Sequence, residues 1–237
     1  MIISANNLTK VYGDNTVLDI PELHLKEGES FGLVGNNGAG KTTLFRLFLD
    51  LIKPSTGEVI LDGKNVQHTE DWKNLTGSFL DENYLIGHLR PDEYFEFIAS
   101  MRGLTAGDLE EQLQPFEKMF KGEITEKNKY IRDLSKGNQK KVGVAGAMLG
   151  KPKLLILDEP FSNLDPSTQY ELRTLLTHLN KNTDTTVVVS SHDLGHIAEF
   201  CDRIVILDRG KIARDIYADE HTLARLEEFF IQEIRDF

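Results

Sequence analysis

GNNGAGKTT, Gly35 to Thr43, packs three glycines, a lysine and two threonines into nine residues and satisfies the spacing G-x-x-x-x-G-K-[ST]. It lies between an apolar strand-like run, SFGLV, and an apolar helix-like run, TLFRLFLDLI, which is the context that this spacing requires. Glycines let the backbone curl so that successive N–H groups point at phosphate oxygens, and the helix start adds partial positive charge. Lys41 supplies a point charge for the β- and γ-phosphates, and Thr42 a hydroxyl for Mg²⁺. The complementary carboxylates stand in LLILDEP, where four apolar residues lead to Asp158 and Glu159. Ligands of open α/β sheets bind at the C-terminal ends of the strands. Asp158 suits the shell of a small hard cation, and Glu159, one residue beyond, suits orientation or deprotonation of an attacking water. SSHD, Ser190 to Asp193, ends another apolar run and brings His192 to the same edge, within reach of a γ-phosphate.

The elements that position these groups follow from the hydrophobic pattern. SFGLVG (30–35), KLLILD (153–158), TVVVSS (186–191) and RIVILD (203–208) are apolar without alternation, as in strands buried on both faces of a parallel sheet. TLFRLFLDLI is apolar nearly all round and reads as a buried helix. DPSTQYELRTLLTHLN opens with an Asp cap and Pro at the first helical position. Elements alternating in this way predict an α/β core. IISANNLTKVYG, VLDIPELHLKEGES and GEVILDGKNV read as strands with polar turns and predict an antiparallel sheet beside that core. From about Pro91 to Gly150 the chain reads as helical, an insertion between two core strands.

Composition sets outer bounds. The 237 residues hold 27 Lys and Arg against 38 Asp and Glu, a formal charge of -11, and this field repels nucleic acid. Cys201 is the sole cysteine and sits among apolar neighbours, so no internal disulfide is possible and a small buried hydrophobe is expected. MIISANNLTK lacks a charged segment followed by an apolar core, so no secretory leader is expected, and no apolar run reaches the roughly 18 residues that span a bilayer. A cytoplasmic protein is expected, whose membrane contact would come through a partner.

LSKGNQKK, Leu134 to Lys141, sets a serine, a glycine and three lysines in an acidic chain. Ser135 is a good N-cap for the helix that follows, which aims a helix N-terminus at an anion. Lys140 and Lys141 read as the solvated face of that helix, and Lys136 either adds charge near a phosphate or points into water.

In order along nearly the whole chain, these pieces resemble the nucleotide-binding subunit of an ABC transporter. GNNGAGKTT matches the family's phosphate loop (Gly35, Asn36, Asn37, Gly38, Ala39, Gly40, Lys41, Thr42, Thr43), and LSKGN its signature (Leu134, Ser135, Lys136, Gly137, Asn138). LLILDEP matches the Walker B strand, SNLD the D-loop with Asp165, and His192 the switch histidine. Tyr12 falls where the family stacks an aromatic ring on adenine. The resemblance implies a P-loop NTPase core with a mainly parallel sheet, an N-terminal antiparallel β-subdomain and a helical subdomain inserted between core strands. It makes residues 1–237 one ABC ATPase domain, with the helical subdomain at about 85–150 and a C-terminal helical extension at about 215–237. It further implies ATP and Mg²⁺ as ligands, with Thr42 and Asp158 on the metal.

Two such domains would pack head to tail, Ser135 and the Gly137 amide contacting the γ-phosphate in trans. The partners implied are a second copy or a homologous ATPase subunit and separate transmembrane permease subunits, and no nucleic acid is expected. Two departures stand out. Lys136 and Asn138 replace the glycine and glutamine of LSGGQ. In GSFLDEN, Asp81 falls where the family has a Mg²⁺-binding glutamine, with Glu82 beside it as the other oxygen donor. The LSKGN form and the short extension look more like export systems than importers. An ABC ATPase of DNA repair or translation is the alternative, although the chain has neither a long heptad insertion nor a second phosphate loop. A P-loop kinase or GTPase leaves LSKGN, SNLD and SSHD unexplained. HTLARLEEFFIQEIRDF is amphipathic through Leu223, Leu226, Phe229, Phe230 and Ile234 and is expected to pack on its own domain.

Overall fold

Apolar runs without alternation have no solvent face to offer, so they must lie between two covering layers. In the computed structural model, which describes the backbone of residues 2–124 and 128–235 and side chains as far as Ile231, all four expected runs do so. They form strands β3 (Ser30–Val34), β7 (Leu154–Leu157), β8 (Thr186–Ser191) and β9 (Arg203–Asp208). With β6 (Thr76–Phe79) and β10 (Lys211–Tyr217) they make a six-stranded sheet of order β10-β9-β3-β8-β7-β6. All neighbours run parallel except β10, which pairs antiparallel with β9. The fold is α/β with an N-terminal antiparallel sheet.

Strand side chains alternate between faces, and this alternation divides the core in two. Leu155, Leu157, Val187, Val189, Ile204 and Ile206 join one buried cluster with the helices that cover that face. Leu154, Ile156, Val188, Val205 and Leu207 join the other. That second cluster is completed by helix α1 (Lys41–Phe48) and an antiparallel sheet of β1 (Ile3–Tyr12), β2 (Asn15–Leu25), β4 (Thr56–Leu61) and β5 (Lys64–Asn65), in the order β2-β1-β4-β5.

The helical insertion lies between β6 and β7. It contains α2 (Pro91–Met101), α3 (Ala106–Leu113), the single turn α4 (Glu117–Phe120) and α5 (Lys136–Met148). After β7 come α6 (Pro166–Thr183), α7 (Leu194–Phe200) and, beyond β10, α8 (Thr222–Arg235). Among the described residues no helix is long and apolar enough to cross a membrane. Cys201 is buried, as its apolar neighbours suggested.

Four expectations are corrected. The helix read through TLFRLFLDLI ends at Phe48; Asp50 takes a left-handed backbone and Leu51 is half exposed, so the apolar run outlasts the helix. The extension expected to be helical from about residue 215 opens instead with the end of β10, because Arg214 to Tyr217 pair with β9. On α8, Leu226 is fully buried and Phe229 and Phe230 pack on the core, but Leu223 is exposed at 40%. The side chain of Ile234 lies outside the described residues. Finally, Lys140 and Lys141 are not a solvated face. Every residue of α5 from Gln139 to Ala147 is buried, because the helix is packed on several sides at once by β6, β7, α2 and α4. Such ammonium groups need acceptors within the protein, and Lys141 finds the Glu123 carboxylate at 3.5 Å.

Candidate nucleotide-binding site

Strand β3 ends at Val34 and α1 begins at Lys41, so the glycine-rich turn of GNNGAGKTT spans the six residues between them, and its last three residues open the helix. Gly40, the residue before the helix, takes a left-handed backbone with φ 109°, a conformation that side-chain-bearing residues rarely adopt. This turn starts α1 beside an open cleft of about 230 Å³ lined by Val17, residues 36–43, Asp158 and Glu159. The first-turn N–H groups of a helix have no partner within it, and those of α1 belong to cleft-lining residues. Lys41 is 7% exposed, and its Nζ donates to the Gly35 carbonyl at 2.6 Å.

Facing the loop is the end of β7. Asp158 is buried and accepts hydrogen bonds from Thr42 Oγ1 at 2.5 Å and from Ser190 Oγ. Burial raises its pKa above the usual carboxylate range, while these two hydroxyls and Lys41 pull the other way. Glu159 has φ 48°, left-handed although it is not glycine. Its N–H donates to Ser190 Oγ at 2.8 Å. Its carboxylate spans two cations or cation precursors: Oε1 is 3.5 Å from Lys41 Nζ, and Oε2 is 2.8 Å from His192 Nδ1. His192 is 63% exposed in its side chain, so it meets Glu159 from the solvent side. The fold therefore gathers Lys41, Thr42, Asp158, Glu159 and His192 at the C-terminal edge of three neighbouring parallel strands.

The remaining residues singled out in the sequence stand elsewhere. Ser135 caps α5, its Oγ accepting from the Asn138 N–H at 3.3 Å, and the LSKGN residues are not among those lining the cleft of their own chain. Leu134 packs against the core. Gly137 is required in the folded monomer as well, since a Cβ there would stand 2.8 Å from the Asn163 carbonyl. Lys136 is 62% exposed in its side chain and lies 4.0 Å from Glu82 Oε2. Tyr12 is 51% exposed at the end of β1, lies outside the cleft lining and has the Lys10 ammonium 4.7 Å from its ring centroid. Asp165 caps α6. Asp81 accepts from the Asn83 N–H at 2.7 Å, while Glu82 faces Lys140 at 3.7 Å. Neither carboxylate is hydrogen-bonded to Thr42 or Asp158.

Three participants escaped the sequence reading. Ser190 lay in the quoted SSHD but bonds both Asp158 and the Glu159 backbone, which no local pattern announces. Val17 reaches the cleft from β2 and carries no motif. Lys140, read as solvated, donates to the Glu159 carbonyl at 2.7 Å and to Ser162 Oγ at 2.5 Å. Burial lowers its pKa below the usual ammonium range, and Glu82 and Glu159 oppose that shift.

The donor set fits a phosphate-bound hard cation. No group of three or more His, Cys, Asp or Glu is arranged to hold a metal among the described residues. What the cleft offers is one hydroxyl and one carboxylate side by side, Thr42 and Asp158, and that is a set which substrate phosphate oxygens would complete. The chain matches a family model described as ABC transporter over residues 18–162. It is 34% identical to a bacitracin transport ATP-binding protein of Enterococcus faecalis, over 92% of this chain and 70% of that protein. It is 30% identical to an Fe(3+) ions import ATP-binding protein of Escherichia coli K12, over 89% of this chain and 60% of that protein. Among solved structures, it superposes with a TM-score of 0.81 and 27% identity on an ATP-binding cassette seen as a dimer in a post-hydrolysis state with ADP and Pi, covering 92% and 99% of the two chains.

Proposed function

The chain belongs to the ABC transporter ATP-binding family, and on that premise we propose that it hydrolyses ATP between two head-to-tail cassettes and so drives separate membrane-spanning subunits. The observation that carries this reading is the Glu159 carboxylate held between Lys41 and His192, beside the paired oxygens of Thr42 and Asp158. Lys41 here spends its charge on a carbonyl and on Glu159. An incoming γ-phosphate is the stronger acceptor and would draw the ammonium to itself. Glu159 is then free to take a proton from a water, with His192 retaining its hold on Oε2 and on the water's orientation. Mg²⁺, held by Thr42 and through the buried Asp158, would offset phosphate charge.

In the proposed dimer, Ser135 and the Gly137 amide at the start of α5 meet the γ-phosphate of the neighbour's ATP, with Leu134, Lys136 and Asn138 shaping that surface. Asp165 lies in the loop that crosses between the cassettes, and Tyr12 stacks on the adenine. One of Asp81 and Glu82 stands in for the family's glutamine near the metal; Asp81, not engaged with a lysine, is the one we assign. The chain would sit at the cytoplasmic face of the membrane through permease subunits, and the LSKGN signature supports export as the direction. The test is Glu159→Gln. It is expected to leave ATP affinity intact, slow hydrolysis by about two to four powers of ten and accumulate an ATP-bound dimer on size-exclusion chromatography. A variant that turns over normally, or stays monomeric with ATP, removes the basis of this reading.

A further inference from the structure

We infer that Lys140 is a positioning residue for hydrolysis, holding the backbone carbonyl of Glu159 and thereby setting where the Glu159 carboxylate stands. This rests on the reading of Glu159 as the base. Lys140 is only 4% exposed, and a buried charge of this kind persists where acceptors surround it. Its acceptors are telling. A lysine serving stability alone needs one carboxylate, yet the carboxylate of Glu82 is the most distant partner, at 3.7 Å. The close contacts are the Glu159 carbonyl at 2.7 Å and Ser162 Oγ at 2.5 Å.

Glu159 needs such a hold. A non-glycine residue in the left-handed region stays there only when its surroundings over-determine it, and its φ is 48°. The residue that follows is Pro160, whose ring restricts the chain and offers no N–H of its own. The Glu159 carbonyl is instead gripped from three directions: by Lys140, by Ser162 Oγ at 3.0 Å and by the Ser162 N–H at 3.2 Å. Its N–H is held by Ser190. The peptide planes on both sides of Glu159 are thus fixed, and with them the direction of its Cβ and the place of its carboxylate between Lys41 and His192. Only the Lys140 contact comes from the inserted helical segment, 19 residues upstream. A base displaced by about 1 Å can lose on the order of 10²-fold in rate.

The experiment uses the full chain with Lys140→Met, Ser162→Ala, the double variant and Glu159→Gln in parallel, measuring ATPase kcat and KM, affinity for a fluorescent ATP analogue, and Tm. Lys140→Met is expected to lower kcat by roughly 10- to 100-fold while KM and analogue affinity stay within about twofold. Ser162→Ala is expected to lower kcat by a smaller factor at unchanged Tm. The double variant should be no slower than the product of the two losses and close to Lys140→Met alone, because both side chains act on one carbonyl. A folded Lys140→Met with normal kcat, or one losing kcat only in step with analogue affinity, overturns the inference. If Lys140→Met does not fold, Ser162→Ala decides, and normal turnover in it overturns the inference. If Glu159→Gln abolishes turnover while the other variants do not, the positioning role alone fails. If Glu159→Gln turns over normally, the base assignment itself fails.

Discussion

Asp158 shows what the proposed role asks of a single residue. Its carboxylate is buried and raised in pKa, so in the absence of ligand its charge destabilises the fold. The sign follows from proton binding. A carboxyl whose folded pKa exceeds its unfolded value of 3.8 binds its proton more tightly when folded, so stability falls as pH climbs from there through the raised value. Asp158→Asn is therefore expected to raise the Tm of the nucleotide-free chain at neutral pH by roughly 2–4 °C, while Mg²⁺-dependent ATPase is lost. Scanning fluorimetry between about pH 4 and 8 should show the gain shrinking toward the acid end. A lower Tm for the variant across that range would show that the hydroxyl contacts outweigh the charge. At this scale the phosphate loop and the Asp158–Glu159 pair were legible because their meaning lies in adjacent residues. Lys140 was not, because its acceptors at Glu82, Glu159 and Ser162 are brought to it only by folding.

Helix α6 carries the clearest case of an element specified locally. Asp165 accepts from the Thr168 N–H at 3.1 Å and from Thr168 Oγ1 at 2.6 Å, and Lys121 Nζ stands 3.1 Å away. The Ser167 and Thr168 hydroxyls, ahead of Lys121, hold its carboxyl well below the usual carboxylate range. A depressed folded pKa contributes stability that is fully present above the unfolded value and lost progressively as pH falls below it and through the folded one. Asp165→Ala is expected to cost about 1 kcal/mol, visible by circular dichroism as a Tm lower by roughly 2–4 °C. The gap should persist down through about pH 4, and its disappearance there would contradict the cap. Other elements were harder to read. β6 has only four residues, and β10 alternates weakly at an edge, so neither shows the continuous apolar run of the central strands. In α5 the helical period was legible but its surroundings were not. Lysines spaced for a solvated face are buried there by four neighbouring elements.

For the molecule as a whole, the decisive fact is separation. Ser135 caps a helix whose N-terminus does not line the cleft of its own chain, so the contact with phosphate that we propose for it would need a second cassette. Ser135→Arg is accordingly expected to lower ATPase activity by about tenfold or more, the scale set by removing one hydrogen bond to a charged group, without weakening ATP binding to the monomer. Titration of the variant with a fluorescent ATP analogue checks this, and a weaker monomer affinity would place Ser135 at its own chain's nucleotide.

The sequence by itself determined the glycine-rich loop between strand and helix, the four buried strands and the acidic pair at the end of β7. Each rests on periodicity or on the conformational demands of consecutive residues, and the family resemblance spans them. Only the tertiary structure decided which strand faces meet which core, and that Ser190 ties Asp158 to Glu159. It also decided that two lysines on α5 are buried and that one of them grips the Glu159 carbonyl. Those outcomes depend on burial and on contacts between residues tens of positions apart. A one-dimensional pattern carries no measure of either, because a charged side chain reads the same whether water or a buried carboxylate will receive it.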